Sequence, residues 1–212
     1  MNTFYTNERN TQILIALMKA HGVRKIIASP GTTNISLVAS VQHDPFFEIY
    51  SSVDERSAAY LACGLAAESG EPVALSCTGA TASRNYVPGL TEAFYRKLPV
   101  LAITASQHLS HIGQMFPQML DRTVQMNDLV KLSVQAPTVH DGEDEWGCEV
   151  AMNKALLELR RNGGGPVHIN LVTQYSGDFS VKELPPARVI NRICYNDALP
   201  ELKHGRVGIF VG

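Results

Sequence analysis

Four short polar segments of the sequence contain the residue types that small-molecule chemistry uses, and each follows an apolar run. They are 29–34 (SPGTTN), 54–55 (DE), 77–85 (CTGATASRN) and 104–107 (TASQ). Glycines allow a ligand to approach the backbone closely, while hydroxyls, amides and carboxylates exchange hydrogen bonds with it. Because ligands of open parallel sheets bind at the carboxyl ends of strands, the segments predict a polar small-molecule site. The same residues also form ordinary turns and helix caps.

Glu55 is the residue in these segments that could do the most specific chemistry. In a structural role it would be a first-turn acid that interacts favourably with the helix dipole, worth about 0.5 kcal/mol. In a functional role it would be a carboxylate buried among Ala58, Ala59, Ala62 and Cys63. A carboxylate removed from water holds a proton more readily and could share it with a ligand nitrogen. The pattern alone leaves both roles open.

Several common catalytic and metal-binding motifs are absent from the sequence. It contains no G-x-x-x-x-G-K-[ST] phosphate loop, no G-x-G-x-x-G fingerprint after a strand and no G-x-S-x-G elbow. The four cysteines include no C-x-x-C pair. His108 and His111 lack a third ligand at fitting spacing, so we expect a loop or surface pair and no metal site in this chain.

The composition is that of an ordinary globular protein. The chain has 212 residues, 45% of them hydrophobic, with 18 basic and 20 acidic side chains and a net charge of −2. This near-neutral balance argues against a dedicated nucleic-acid or membrane-surface binder. The charged fraction of only 18% predicts that part of the surface faces another domain or subunit. No apolar run approaches the ~18 residues of a membrane span, so we expect a cytoplasmic protein.

The elements that must position the polar segments alternate between helix and strand. The patterns predict helices over 11–21, 34–41 with Asn34 as its cap, 55–68, 85–96, 118–130 and 145–161. They predict strands over 25–28, 47–53, 73–76, 100–104, 132–136 and 167–172. Alternating units with continuous apolar strands indicate an α/β fold, doubly wound, with a mostly parallel sheet and helices on both faces.

The composition also predicts a domain organisation. Residues 1–175 form one domain, and 176–205 form a polar linker interrupted by prolines. The apolar residues 206–212 (RVGIFVG) are typical of a buried strand, which we interpret as the first strand of a truncated next domain.

Taken in order, the polar segments resemble the N-terminal pyrimidine-binding (PYR) domain of thiamine diphosphate (ThDP) enzymes. The matching blocks are Ser29-Pro30-Gly31, 53–60 (VDERSAAY), 77–85, 99–104 (PVLAIT), Gln107 and 165–170 (GPVHIN). Their order and spacing over about residues 10 to 175 are far more specific than any single block.

The resemblance implies ThDP as cofactor and assigns roles to four residues. Glu55 matches the catalytic glutamate that contacts N1′ of the aminopyrimidine. A proton held there favours the imino tautomer, whose free nitrogen can deprotonate the thiazolium C2. By match of motif, Pro30, Thr78 and Asn85 would also bind the cofactor.

Within the superfamily the blocks look most like the menaquinone-pathway succinyl-enolpyruvyl-hydroxy-cyclohexene-carboxylate synthase branch. Those enzymes decarboxylate 2-oxoglutarate and add the succinyl semialdehyde unit to isochorismate. The implied substrate-facing residues are Thr32, Arg84, Gln107 and Gln118. That branch usually continues Ser-Pro-Gly with Ser-Arg, which holds a substrate carboxylate, whereas this chain has Thr32-Thr33. Arg84 either supplies the missing charge or is a solvated helix-start arginine.

Several alternatives stay open beside that branch. The 2-oxo acid and the acceptor are undetermined, and the acetolactate synthase and 2-oxo acid decarboxylase branches are the next nearest. A noncatalytic α/β ligand-binding module of the same fold is an alternative of a different class. A Rossmann-type oxidoreductase is disfavoured by the missing glycine fingerprint.

The resemblance also implies what this chain lacks. ThDP enzymes bind the diphosphate and Mg²⁺ through a separate domain with a Gly-Asp-Gly…Asn motif, and the sequence has no such motif. We therefore expect this chain to be inactive alone, and its full-length form to be a homodimer or tetramer.

Overall fold

The computed structural model of the chain describes residues 4–79, 81–193, 195 and 198. Six strands alternate with six helices along these residues, in the following order: α1 (Arg9–Ala20), β1 (Lys25–Ala28), α2 (Ile35–Gln42), β2 (Glu48–Ser51), α3 (Glu55–Ser69), β3 (Val73–Cys77), α4 (Ala82–Asn85), α5 (Val87–Tyr95), β4 (Val100–Ser106), β5 (Ser133–Ala136), α6 (Gly142–Glu158) and β6 (Val167–Val172).

The six strands form one sheet in the order β2-β1-β3-β4-β6-β5, and every neighbouring pair is parallel. Strands β3, β4 and β6 are buried along their whole length, whereas the edge strand β2 is largely exposed. Continuous burial is expected of central parallel strands because helices cover both faces. The predicted doubly wound α/β fold is confirmed.

Each face of the sheet has its own hydrophobic core. Helices α1, α2 and α6 pack on one face, and α3, α4 and α5 pack on the other. Successive side chains of a strand point to opposite faces, so Ile26 joins the first core and Ile27 the second. No helix among the described residues is long and apolar enough to cross a membrane.

Local capping sets the ends of the two longest helices. The Asp54 side chain accepts a hydrogen bond from the backbone N–H of Ser57 at 2.7 Å, and α3 ends at Gly70, whose φ is +68°. Asp141 accepts bonds from the first-turn N–H groups of α6, so that helix begins at Gly142 rather than at the predicted Glu145. The cap residue, more than the apolar spacing, decides where each helix starts.

The predicted helix over 118–130 is wrong. Gln118 has a left-handed φ of +59°, which interrupts a right-handed helix at its first residue. The segment is instead an irregular loop that buries the side chains of Arg122, Leu129 and Val130. The prediction for this segment did not allow for a charged side chain that is buried.

The chain after β6 packs along the domain. Tyr5 pairs with Val181 in an antiparallel bridge. The buried carboxylate of Glu8 accepts hydrogen bonds from Ser36 Oγ at 2.6 Å, Gln174 N at 3.1 Å and Ser176 N at 2.9 Å. The beginning of the predicted linker is thus held by the domain. The domain limits stay predictions, and the predicted strand 206–212 lies outside the described residues.

A buried polar cluster lies where β4, β5 and β6 meet. Arg122 can only donate, so its Nη1 at 3.4 Å identifies the facing Asn170 atom as the oxygen. Thr104 must then donate to that oxygen at 3.1 Å and accept from His168 Nε2 at 2.8 Å. His168 Nδ1 therefore accepts from the Ser133 hydroxyl at 2.7 Å. These hydrogen-bond directions require the neutral tautomer of His168 that carries its proton on Nε2.

We expect Gly89→Ala to destabilise the chain. A Cβ built at Gly89 would lie 2.4 Å from Ala59 Cβ, so α5 and α3 would have to move apart. Overpacking of this kind costs about 1–3 kcal/mol. Gly64→Ala on exposed α3 is the control, since nothing lies within 4 Å of that position and alanine favours a helix. Urea unfolding measures both, and equal stability of the two variants would contradict the close helix contact.

We expect His168 to make stability fall in mild acid. Burial, together with the charges of Arg122 and Arg84, lowers the pKa of His168 to about 3. The unfolded chain binds a proton near pH 6.5, so the stabilisation is complete above that pH and is lost as pH falls toward 3. Between pH 7 and 5 the loss should be about 1–2 kcal/mol. Urea unfolding at both pH values tests this, and an equal loss in His168→Gln would contradict it.

Candidate functional site

The parallel sheet brings the predicted site residues to one edge. They follow the carboxyl ends of four neighbouring strands: Glu55 after β2, Pro30 and Thr32 after β1, Thr78, Arg84 and Asn85 after β3, and Gln107 and Gln118 after β4. This edge is where open α/β sheets bind ligands.

A crevice is expected between β1 and β3, because the chain leaves these two neighbouring strands toward opposite faces. Strand β1 leads to α2 on the first face, and β3 leads to α4 on the second. Such a switch point leaves space between the diverging loops. The loops after β1 and β3 carry Pro30 and Thr78.

These two loops touch closely at the base of the crevice. A Cβ built at Gly31 would lie 2.4 Å from Thr78 Cβ, so only glycine fits there. Thr33 Oγ1 lies 2.8 Å from Thr78 Oγ1 and accepts a hydrogen bond from Gly79 N, also at 2.8 Å. Thr33 is itself 2% exposed. It joins the two loops and does not face a ligand.

Asn34 occupies the predicted cap position of α2, but its side chain holds the loop after β1 instead of capping that helix. Its Oδ1 accepts from Gly31 N at 2.8 Å, and its Nδ2 donates to Ser29 O at 3.1 Å and Ser76 Oγ at 3.0 Å. The side chain thus points back at the strand ends and makes no cap hydrogen bond to α2. The positioning roles of Thr33 and Asn34 were not predicted from the sequence; the available signal was the run of three polar residues, 32–34, after Ser-Pro-Gly.

Glu55 begins α3 and is half-buried, while Ala58, Ala59 and Ala62 behind it are fully buried. Its charge reaches the interior. Burial raises the pKa of the Cys77 thiol to about 12, and the negative charge of Glu55 adds to that rise. The carboxylate therefore lies at the boundary between solvent and the apolar second core.

Two buried hydroxyls at this edge lie within hydrogen-bonding reach of each other. They are Ser29 Oγ and the Tyr86 hydroxyl, in residues that are 2% and 1% exposed. Burial, the nearby Cys77 and the charge of Glu55 raise the pKa of Tyr86 well above its ordinary value. Ser29 and the Cys77 thiol thus hold the Tyr86 hydroxyl inside the protein.

The other predicted ligand-facing residues on these loops are accessible. Pro30, Thr32, Arg84 and Asn85 are all exposed. Arg84 Nη2 donates to the backbone oxygen of Asp121 at 3.0 Å, which places its guanidinium beside the loop after β4. The edge therefore presents one positive side chain close to the loops that carry the predicted cofactor contacts.

The loop after β4 carries Gln107 and Gln118. Gln107 is half-buried and lies 3.3 Å from His111 Nδ1, while Gln118 is exposed. A Cβ built at Gly79 would lie 2.8 Å from the backbone oxygen of Gln118, so this loop closes against the one after β3.

His108 and His111 lie in the loop after β4, as the sequence predicts. The His111 ring stacks on Phe116 with centroids 3.9 Å apart. Within the described part of the chain, no three His, Cys, Asp or Glu side chains are grouped to hold a metal ion.

Curated relatives are similar to this chain over most of its length. The 2-succinyl-5-enolpyruvyl-6-hydroxy-3-cyclohexene-1-carboxylate synthase of Phocaeicola vulgatus is 43% identical over 189 residues, which are 89% of this chain and 34% of the relative. The synthase of the same name from Porphyromonas gingivalis is 37% identical over 81% of this chain and 30% of the relative. The chain spans about a third of the length of the curated relatives it matches.

Solved structures share the fold at low sequence identity. Benzoylformate decarboxylase of Polynucleobacter necessarius matches with a TM-score of 0.68 at 19% identity, over 90% of this chain and 33% of that one. The 4-hydroxybenzoylformate decarboxylase of Rhodococcus jostii matches with a TM-score of 0.65 at 24% identity, over 87% and 34%.

A family model covers the part of the chain that contains Pro30, Glu55, Thr78 and most of the loop after β4. It is the model of the thiamine pyrophosphate enzyme, N-terminal TPP binding domain, and it matches residues 9–126, more than half of the chain. The chain therefore belongs to the thiamine pyrophosphate enzymes, as a member of their N-terminal TPP binding domain family.

Proposed function

We propose that this chain is the pyrimidine-binding part of a ThDP-dependent carboligase that decarboxylates a 2-oxo acid and transfers the acyl unit to an acceptor. The observation that supports this most strongly is the position of Glu55. Its carboxylate begins α3 at the ligand-binding edge of a domain that belongs to the TPP family.

The residues at this edge suit a flat, polar heteroaromatic ring. Gly31 lets the loops after β1 and β3 close the base of the crevice, where a Cβ would collide with Thr78, and the ring would lie above this contact. The Ser29 and Tyr86 hydroxyls lie in the buried layer of the same edge. Pro30, Thr78 and Asn85 are the further residues that we propose to hold the aminopyrimidine.

Glu55 acts in this proposal by sharing a proton with a ring nitrogen. The neighbouring interior is largely apolar, and its Tyr86 hydroxyl and Cys77 thiol are neutral because burial raises the pKa values of both. A carboxylate at the border of such an interior can accept a charge-assisted hydrogen bond from a protonated ring nitrogen. When bound, the cofactor supplies the electron sink for loss of carbon dioxide.

We propose 2-oxoglutarate as donor and isochorismate as acceptor, in line with the synthase name of the relatives. Thr33, which stands where that branch usually has arginine, is buried between two loops and cannot reach a substrate carboxylate. Arg84, exposed at the same edge, is the residue we propose to bind it. Thr32, Gln107 and Gln118 complete the substrate side.

The remainder of the enzyme must supply the other half of the cofactor site. The chain spans about a third of its relatives, and we propose that a further domain binds the diphosphate and Mg²⁺. Large apolar side chains stand exposed beside Glu55: Val53 at 92%, Tyr60 at 47% and Leu61 at 52%. An apolar surface at the site supports contact with a second subunit in a homodimer or tetramer. This chain alone should not turn over substrate.

We expect Glu55→Gln in the full-length protein to abolish most decarboxylation while cofactor binding stays measurable. The amide cannot share its proton with the ring nitrogen, and loss of an acid–base group typically lowers the rate about 10²–10⁴-fold. Carbon dioxide release measures the activity, and calorimetric titration measures ThDP binding.

Glu68→Gln provides the matched control for that experiment. It makes the same change on the exposed surface near the end of the same helix, away from the ligand-binding edge. It should retain full activity. Near-normal activity of Glu55→Gln would contradict the proposed proton sharing between Glu55 and the ring nitrogen.

We expect the full-length protein to release carbon dioxide from 2-oxoglutarate faster than from pyruvate, and to need isochorismate for product formation. Arg84 favours a second carboxylate on the donor, which pyruvate lacks. A product screen with both acids tests this. Preference for pyruvate, with acetolactate as product, would place the enzyme in the acetolactate synthase branch instead.

A further inference from the structure

Arg122 is a buried charge for which the described residues provide no counter-charge. Its side chain is 2% exposed, although it belongs to the irregular loop between β4 and β5. Nε donates to Ser83 Oγ at 2.8 Å and Nη1 donates to Asn170 Oδ1 at 3.4 Å, both neutral acceptors. Nη2 is buried and has no hydrogen-bond partner among the described residues.

The groups around Arg122 make the missing charge more evident. Burial and the nearby Arg84 lower the pKa of Arg122, but an arginine side chain does not lose its proton in proteins. His168 is neutral because its pKa is lowered to about 3, and Cys77 is neutral because burial raises its pKa to about 12. None of the ion pairs between described residues includes Arg122.

Arg122 lines a small cavity between α5 and the loop that follows β4. Ser83, Arg84, Tyr86, Leu129 and His168 also line it. Its volume is about 20 Å³, room for a single particle of about the size of a water molecule. A carboxylate or phosphate is too large for that space, and a water molecule would fill it without balancing the charge.

We propose that this cavity binds a monatomic anion, chloride in a physiological setting. The anion would accept the free Nη2–H and balance the guanidinium charge, which a buried ion requires. Because the loop carrying Arg122 also carries Gln118, a bound anion would fasten this loop to the sheet and steady the ligand-binding edge. The inference rests on Arg122 alone and is independent of the cofactor assignment.

Crystals of this chain soaked in bromide test the proposal directly. Bromide replaces chloride and is located by anomalous scattering, and we expect a peak within hydrogen-bonding distance of Arg122 Nη2. A water molecule or a protein carboxylate at that position, with no anomalous peak, would overturn the proposal. This experiment needs no variant and no cofactor, so its outcome does not depend on the proposed enzyme activity.

Thermal unfolding in solution gives a second, independent test. Replacing gluconate by chloride at constant ionic strength should raise Tm by about 5 °C once chloride is about a hundredfold above its Kd. Arg122→Met should abolish this chloride-dependent rise and be at least as stable as the parent in gluconate, because the uncompensated charge is gone. Arg96→Met, an exposed arginine on the same side of the sheet, should keep the full rise. Equal Tm of the parent in both salts would overturn the proposal.

Discussion

The contact between the loops after β1 and β3 is the constraint on which the site depends. Gly31 approaches Thr78 too closely for any other residue, and Thr33 and Asn34 fasten the two loops with buried hydrogen bonds. These contacts are possible only because β1 and β3 are adjacent and parallel, so that both loops leave the same edge. Glu55 follows β2 and Gln107 follows β4, so these two residues lie on either side of the contact between the two loops. The order of the strands in the sheet therefore determines where the candidate site residues lie.

Electrostatics divides the interior beneath that edge into two parts. Near Glu55 the buried groups are neutral, since the pKa values of Cys77 and Tyr86 are raised. Farther along the sheet, Arg122 holds a positive charge beside His168, which is kept neutral. Glu55 lies at the edge and Arg122 lies inside, and the charges of both act on the Cys77 thiol. No ion pair between described residues includes Glu55, so its carboxylate is available to a ligand.

The fold and the placement of the polar segments could be predicted from the sequence because both depend on local patterns. Asp54 and Gly70 mark the ends of α3, and continuous apolar runs mark the buried strands. The roles of Thr33, Asn34 and Arg122 could not be predicted, because each depends on which distant segment lies beside it. The predicted helix over 118–130 is wrong because the burial of Arg122 cannot be read from the sequence. The assignment of Glu55 needed the resemblance, since its spacing alone also suits a simple helix-start acid.

The central claim is that Glu55 binds the aminopyrimidine of ThDP. A crystal structure of the full-length protein with ThDP and Mg²⁺ tests it most directly, through the distance from Glu55 to the ring. We expect a carboxylate oxygen of Glu55 about 2.6–3.0 Å from N1′, as a charge-assisted hydrogen bond requires. The ring should lie in the crevice between the loops after β1 and β3. A ring bound elsewhere, with the Glu55 carboxylate in bulk solvent, would contradict the account.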